Sequence, residues 1–302
     1  MSHILDCCNI KYFWQFNGLS GAGFVDLIEF LHCDAESLDT PEDKDYAVEF
    51  YRIFAILKDK RKRAKPPLPK ILRVGTGSLL YPVPFTNSGP FRIVALAPSG
   101  DLVGRYETEL ASCFNEDRTI KVKYRVPDHN LVSVALLVIH GETRVILGGD
   151  VERNGWSDAI LLMGIDNLSA HLVKISHHGS EHSFCDRLWE YHSARGKPIA
   201  VVTSYVSRNL PRKLALDEAA RYCQAVLLTC GTAMRATELP DGLSPEQFQV
   251  RLALGIKMGN VRDESSHACG RWTFVFDDCG CCIRREPLDP AVVLVEIPAL
   301  VV

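Results

Sequence analysis

The sequence predicts an α/β fold in which mixed sheets are covered by helices. Three observations carry this. Strand-like and helical segments alternate along most of the 302 residues. A β-branched run and its neighbour form a hairpin, which adds antiparallel pairing. Two apolar runs stop abruptly in glycine-flanked polar residues, at Gly148-Gly149-Asp150 and at Ser176-His177-His178-Gly179-Ser180. No internal repeat is present, so a single domain over 1–302 is expected.

The elements follow in order. Residues 18–31 hold Gly18, Gly21 and Gly23, then Phe24, Leu27, Ile28 and Leu31 at helical spacing. Thr40-Pro41-Glu42-Asp43 is a helix start, with a Thr cap, Pro at the first position and acids in the first turn. That helix should run to about Arg63 as an insertion around 40–65, with Tyr46, Phe50, Ile53, Phe54 and Leu57 inward and Pro66, Pro67 and Pro69 ending it. Short strands are expected over 71–74, 79–83 and 91–96, and a helix over 101–113. The hairpin pairs 132–139 with 144–147 across His140-Gly141-Glu142. Helix 156–163, strand 173–176, helix 184–194, strand 199–203, helix 214–223 and strand 226–228 follow. The segment around 233–262 is poorly patterned. Residues 272–276 and 282–285 flank Asp277-Asp278-Cys279-Gly280 as a closing hairpin.

Composition narrows the function. A net charge of −3 gives no polyelectrolyte signature, so nucleic-acid binding through bulk charge is not indicated. The basic run Lys58 to Arg63 is read as a solvated helix end, where cations suit the dipole. No run of eighteen apolar residues occurs, so no membrane span is expected. The first residues lack the basic and apolar regions of a signal peptide. Eleven cysteines without such a leader point to reduced thiols and a cytoplasmic location.

Asp150 stands where an apolar strand stops, and two readings apply. It can cap a helix over 153–163, or it can offer a carboxylate to a metal. The His177-His178 pair stands at the end of another strand. On a strand, adjacent side chains point to opposite faces, so one imidazole would enter a site and the other would pack or meet substrate. A carboxylate and imidazoles on neighbouring strand ends suit zinc or another borderline metal that polarises water.

These motifs carry a family resemblance. The order Asn130-Leu131-Val132-Ser133, then Gly141 through Gly148-Gly149-Asp150, then Leu172 through His177-His178-Gly179-Ser180 resembles the metallo-β-lactamase-fold hydrolases. Within them it is most similar to the hydrolase domain of the ComEC competence proteins. Phe91 through Pro98-Ser99 is similar to that group's strand ending in a Ser-Pro-type turn. The likeness spans about 70–230. It implies an αββα sandwich of mixed sheets, with one or two zinc ions at one edge. It implies that Asp150 is the carboxylate bridging the metals and that one of His177 and His178 is the last ligand. His178 is favoured, with His177 near the leaving group. Asn130 falls where many relatives place a ligand His, and would contact substrate or a metal-bound water. His129 beside it is read as a solvated loop residue.

The sequence also departs from the family. The motif His-x-His-x-Asp-His is absent, and Met1 aligns just after where it would end, so an N-terminally truncated sandwich is expected. Leu210 stands in Asn209-Leu210-Pro211 where relatives carry Gly-His-Pro. His267, Cys269, Cys279, Cys281 and Cys282 are not spaced as zinc knuckles and are expected to form no zinc site. The resemblance implies hydrolysis of a phosphodiester, in a small molecule or a nucleic acid, by metal-activated water, and this chain should be a weak catalyst. The alternative is a degenerate member acting as a non-catalytic partner subunit.

Overall fold

The structure, a computed structural model, describes residues 10–16, 25, 28, 41–62, 70–82, 90–117, 119–121, 125, 127–203, 205, 210–229, 271–277, 281–288 and 292–296. The expected helix in 18–31, apart from Val25 and Ile28, lies outside them, as do the 233–262 segment, Asn209, His267, Cys269 and Cys279. The chain divides into two compact units, Met1–Gly75 with Gly100–Val132, and Thr76–Ser99 with Ser133–Val302.

In the first unit, β1 (Tyr12–Gln15) pairs in parallel with β2 (Lys70–Arg73). Helix α1 (Pro41–Lys62) starts at the proline expected to begin it. Its Ile53 and Leu57, one turn apart, are buried, with Ile10, Phe13 and Ile56 packed around them. The side chains of Tyr46 and Phe50 lie outside the described residues. Helix α2 (Gly100–Ser112) buries Leu102, Val103, Tyr106 and Leu110, the spacing of an amphipathic helix.

In the second unit, eight strands make one mixed sheet in the order β12-β9-β8-β7-β6-β5-β4-β3. Strands β3 (Leu79–Tyr81), β4 (Phe91–Ala95), β5 (Leu136–His140) and β6 (Thr143–Leu147) are antiparallel. Pairing turns parallel at β6 and continues so through β7 (Leu172–Lys174), β8 (Ile199–Val202) and β9 (Ala225–Leu228). Strand β12 (Val292–Glu296) closes that end antiparallel to β9. Strands β10 (Arg271–Phe276) and β11 (Cys282–Leu288) form a separate antiparallel pair.

Helices α3 (Arg153–Met163), α4 (Asp186–Ala194) and α5 (Lys213–Tyr222) connect the parallel strands. Their Trp156, Ile160, Leu188, Trp189, Leu216 and Ala219 share one core with Leu137, Ile146, Val173, Ala200 and Val226 of the sheet. Every second strand residue faces the other way. There Ile199, Ala225 and Leu227 are buried, with Phe274 of β10 and Cys282 of β11 against them. Cys282 is thus a small apolar packing residue, while Cys281 is exposed. The fold is mixed α/β. Among the described residues no helix is long and apolar enough to cross a membrane.

Two boundaries differ from expectation in ways that bear on the site. Strand β5 begins at Leu136, because His129–Val132 closes a 3-10 turn. Strand β7 ends at Lys174, and Ser176–Gly179 is a tight turn. Both expected strands ran on because β-branched and apolar residues continue past the last paired position. Strand β12 and the parallel β1–β2 pair were not anticipated.

Candidate functional site

The site grows from the ends of two adjacent parallel strands. Strands β6 and β7 pair as far as Leu147 opposite Lys174. Two further bonds extend the contact: Gly148 N–H donates to Lys174 O at 3.1 Å, and His177 N–H donates to Gly149 O at 2.8 Å. The double glycine is required here. A Cβ on Gly148 would stand 2.7 Å from Lys174 O and 2.9 Å from Ser176 Cβ. Gly149 has φ 55°, and a Cβ there would meet the Val134 carbonyl. The Asp150 N–H then donates to Ser133 Oγ at 2.8 Å, which fixes where the carboxylate leaves the chain.

Asp150 is not the helix cap. Helix α3 starts from Glu152, and no side chain makes a cap bond there.

The histidines depart from the strand geometry assumed for them. His177 (φ 47°, ψ 41°) and His178 (φ 53°, ψ 25°) are both left-handed. Their separation therefore comes from a turn and not from the alternation of a strand. Consecutive left-handed residues other than glycine each cost roughly 1–2 kcal/mol and persist only where the surroundings impose them. Here Ser180 N–H donates to His177 O at 2.9 Å and Arg212 N–H donates to Gly179 O at 3.0 Å. Gly179 (φ 76°) lies so close to Pro211 that a Cβ would come within 2.7 Å of the proline Cβ.

This turn brings His178 to Asp150, with Nε2 3.9 Å from Oδ1. The other ring nitrogen, Nδ1, lies 3.1 Å from Thr203 O and 2.9 Å from Thr203 Oγ1. The ring stacks on Tyr205 at 5.2 Å and 30°. Burial, reinforced by Lys174, holds the His178 pKa below its ordinary value, against the opposing pull of Asp150. The Thr203 carbonyl can only accept, which favours the tautomer with its proton on Nδ1, while the hydroxyl can accept or donate. In that tautomer Nε2 turns a lone pair toward the Asp150 carboxylate. A cation between the two atoms would take both as donors. Ligands on one tetrahedral zinc stand ~3.3 Å apart, given ~2.0–2.1 Å bonds. A small side-chain rotation closes that difference.

His177 turns elsewhere, with Nδ1 3.5 Å from Glu152 Oε1. Lys174 is half-buried. Burial pulls its pKa down and Asp150 opposes that pull.

Asn130 belongs to the first unit, on the His129–Val132 turn, where its N–H donates to Asp128 Oδ1 at 3.0 Å. His129 is not a solvated loop residue, because its Nδ1 is 3.1 Å from the hydroxyl of the buried Tyr106. Leu210 exchanges backbone hydrogen bonds with Tyr205 at 3.0 and 3.1 Å. Among the described residues, no three His, Cys, Asp or Glu side chains gather as a metal would need.

The structure brings Asp150 and His178 together, two of the residues that the sequence singles out; Thr203, Tyr205, Lys174 and Glu152 stand beside them and were not singled out. Lys174 precedes the histidines on their own strand, so its proximity was available. Thr203 lies 25 residues from His178, and only strand order brings them together. No known protein-family model matches the sequence, and no curated protein matches it.

Proposed function

We propose that this chain is a metal-dependent hydrolase of metallo-β-lactamase type that cleaves a phosphodiester, with Asp150 and His178 as metal ligands. The observation that carries the reading is the approach of His178 Nε2 to 3.9 Å from Asp150 Oδ1. The mixed sheet with helices over one face supports one half of the αββα sandwich. A bound zinc would polarise the scissile ester and bring the pKa of its water toward ~7. Asp150 and the neutral imidazole supply an anionic and a neutral donor, the set zinc accepts. Lys174 adds a half-buried positive charge near Asp150, which favours an anionic substrate over a neutral ester. His177, directed toward Glu152, lies next in the chain and borders the same turn.

A second reading, a non-catalytic partner subunit, has its own support. A catalytic zinc usually takes three protein ligands, and no third joins this pair among the described residues.

The test is zinc calorimetry beside turnover of bis(p-nitrophenyl) phosphate, for the intact chain, Asp150→Ala and His178→Ala. The hydrolase reading expects binding and turnover in the intact chain and loss of both in each variant. Binding without turnover selects the partner-subunit reading. No zinc binding by the intact chain overturns the metal site.

A further inference from the structure

We propose that Thr203 and Tyr205 are positioning residues. Together they lock His178 in one tautomer and one ring plane, so that Nε2 is the atom offered beside Asp150. The inference rests on the metal reading of His178 and extends it to the residues that prepare the ligand.

Strand β8 ends at Val202, and its neighbour bonds hold it on both sides: Ile175 N–H donates to Val201 O at 2.8 Å, and Thr229 N–H donates to Val202 O at 3.0 Å. Thr203 is the next residue, so its position is set by the sheet itself. It presents two oxygens to one imidazole nitrogen, the carbonyl at 3.1 Å and the hydroxyl at 2.9 Å. The carbonyl has no proton to give, so its contact with Nδ1 favours a ring that donates from that nitrogen.

Tyr205 supplies the second constraint. It is pinned by the paired backbone bonds with Leu210. Its ring lies along the imidazole face at 5.2 Å and 30°, which opposes rotation about χ2. Six residues on, Pro211 and Arg212 hold Gly179, the last residue of the same turn. Thr203, Tyr205, Pro211 and Arg212 thus hold both the imidazole and the strained backbone that carries it.

Metal-bound histidines are held in this way by a partner on the far ring nitrogen, and losing that partner typically weakens metal binding about 10–100-fold. Here the partner is a threonine that uses main chain and side chain at once.

The experiment has two arms. The first needs no variant: nitrogen-15 NMR of the histidine rings in the metal-free intact chain, with His178 assigned by its disappearance in His178→Gln. The expected result is a neutral ring protonated on Nδ1. A ring protonated on Nε2 overturns the proposal. The second arm measures cobalt(II) affinity. Thr203→Val should bind about 10-fold or more weakly, Thr203→Ser should recover the loss, and Tyr205→Phe should match the intact chain while Tyr205→Leu weakens. Cobalt affinity unchanged in both Thr203→Val and Tyr205→Leu overturns the positioning role. If Asp150→Asn leaves cobalt binding untouched, the metal reading fails, and the tautomer result still judges the positioning of His178.

Discussion

The Trp156 indole N–H donates to the Ser176 hydroxyl at 3.1 Å, in a buried bond between helix α3 and the turn of the two histidines. Ser176 Oγ in turn lies 3.5 Å from Ser183 O. One side chain of α3 therefore supports the turn from beneath. Trp156→Phe keeps the ring in the core and removes the donor. It should cost about 1–2 kcal/mol, the price of leaving a buried hydroxyl short of a partner. Urea unfolding with an unchanged m-value checks this, and a loss under 0.5 kcal/mol would show that the bond contributes little.

Gly148→Ala should be more damaging than its size implies. The added methyl meets a backbone oxygen and the Ser176 Cβ, neither of which can swing aside. Separating the two strand ends is the only relief. We expect about 1–3 kcal/mol of destabilisation and a weaker zinc isotherm in the same variant. Full stability together with full binding would contradict the close approach.

His192 predicts a specific acid sensitivity. It is 2 % exposed, and neither ring nitrogen has a hydrogen-bond partner among the described residues. Burial holds its pKa down at about 4. The unfolded chain, at its ordinary ~6.5, binds the proton more readily. Stability is thus intact above pH ~6.5 and falls as pH drops toward 4, by about 3 kcal/mol from this residue. His192→Phe should flatten that part of the pH–stability curve without loss at pH 7. An identical acid slope in the variant would assign the sensitivity to other groups.

Thiol labelling should divide the described cysteines by burial. Cys113 and Cys223 are buried, and desolvation pushes both thiols up, away from the reactive thiolate. Cys113 Sγ also lies 3.4 Å from Arg125 O and 3.5 Å from Glu109 O. Cys281 is exposed. Iodoacetamide on the native chain, mapped by mass spectrometry, should modify Cys281 and leave Cys113 and Cys223 unlabelled until denaturant is added. Early labelling of Cys223 would mean that its core opens readily.

The parts legible in the sequence were those set by local chemistry. Thr40-Pro41 announces α1, and Gly148-Gly149 after an apolar run announces the end of β6. Asp150 and His178 were singled out on the same local pattern, and the structure brings them near each other. The left-handed histidines were not legible, because the turn is imposed by Gly149, Arg212 and Pro211, which lie far apart in the chain. The parallel pairing of β1 with β2 joins Tyr12 to Lys70, and no local pattern encodes so distant a register. Thr203 and Tyr205 were hidden likewise, since an ordinary threonine past a strand carries no mark of the ring it will hold.

The adjacency of β6 and β7 has a consequence for how freely the molecule can vary. Parallel neighbours lie ≈ 4.8 Å apart whatever connects them. The gap between Asp150 and His178 is therefore set by the sheet together with the left-handed turn that carries His178. The connecting residues 151–171 contribute Trp156 and the core face of α3, but they do not act as a ruler. Lengthening the chain between Gly164 and Ala170, on the far side from the carboxylate, would leave the ligand separation where the main chain sets it. Its cost would fall on the packing of Leu168 in the core and on the Arg144 bonds to Asn167 O and Ser169 O, whereas a single methyl at Gly148 strikes the strand ends themselves.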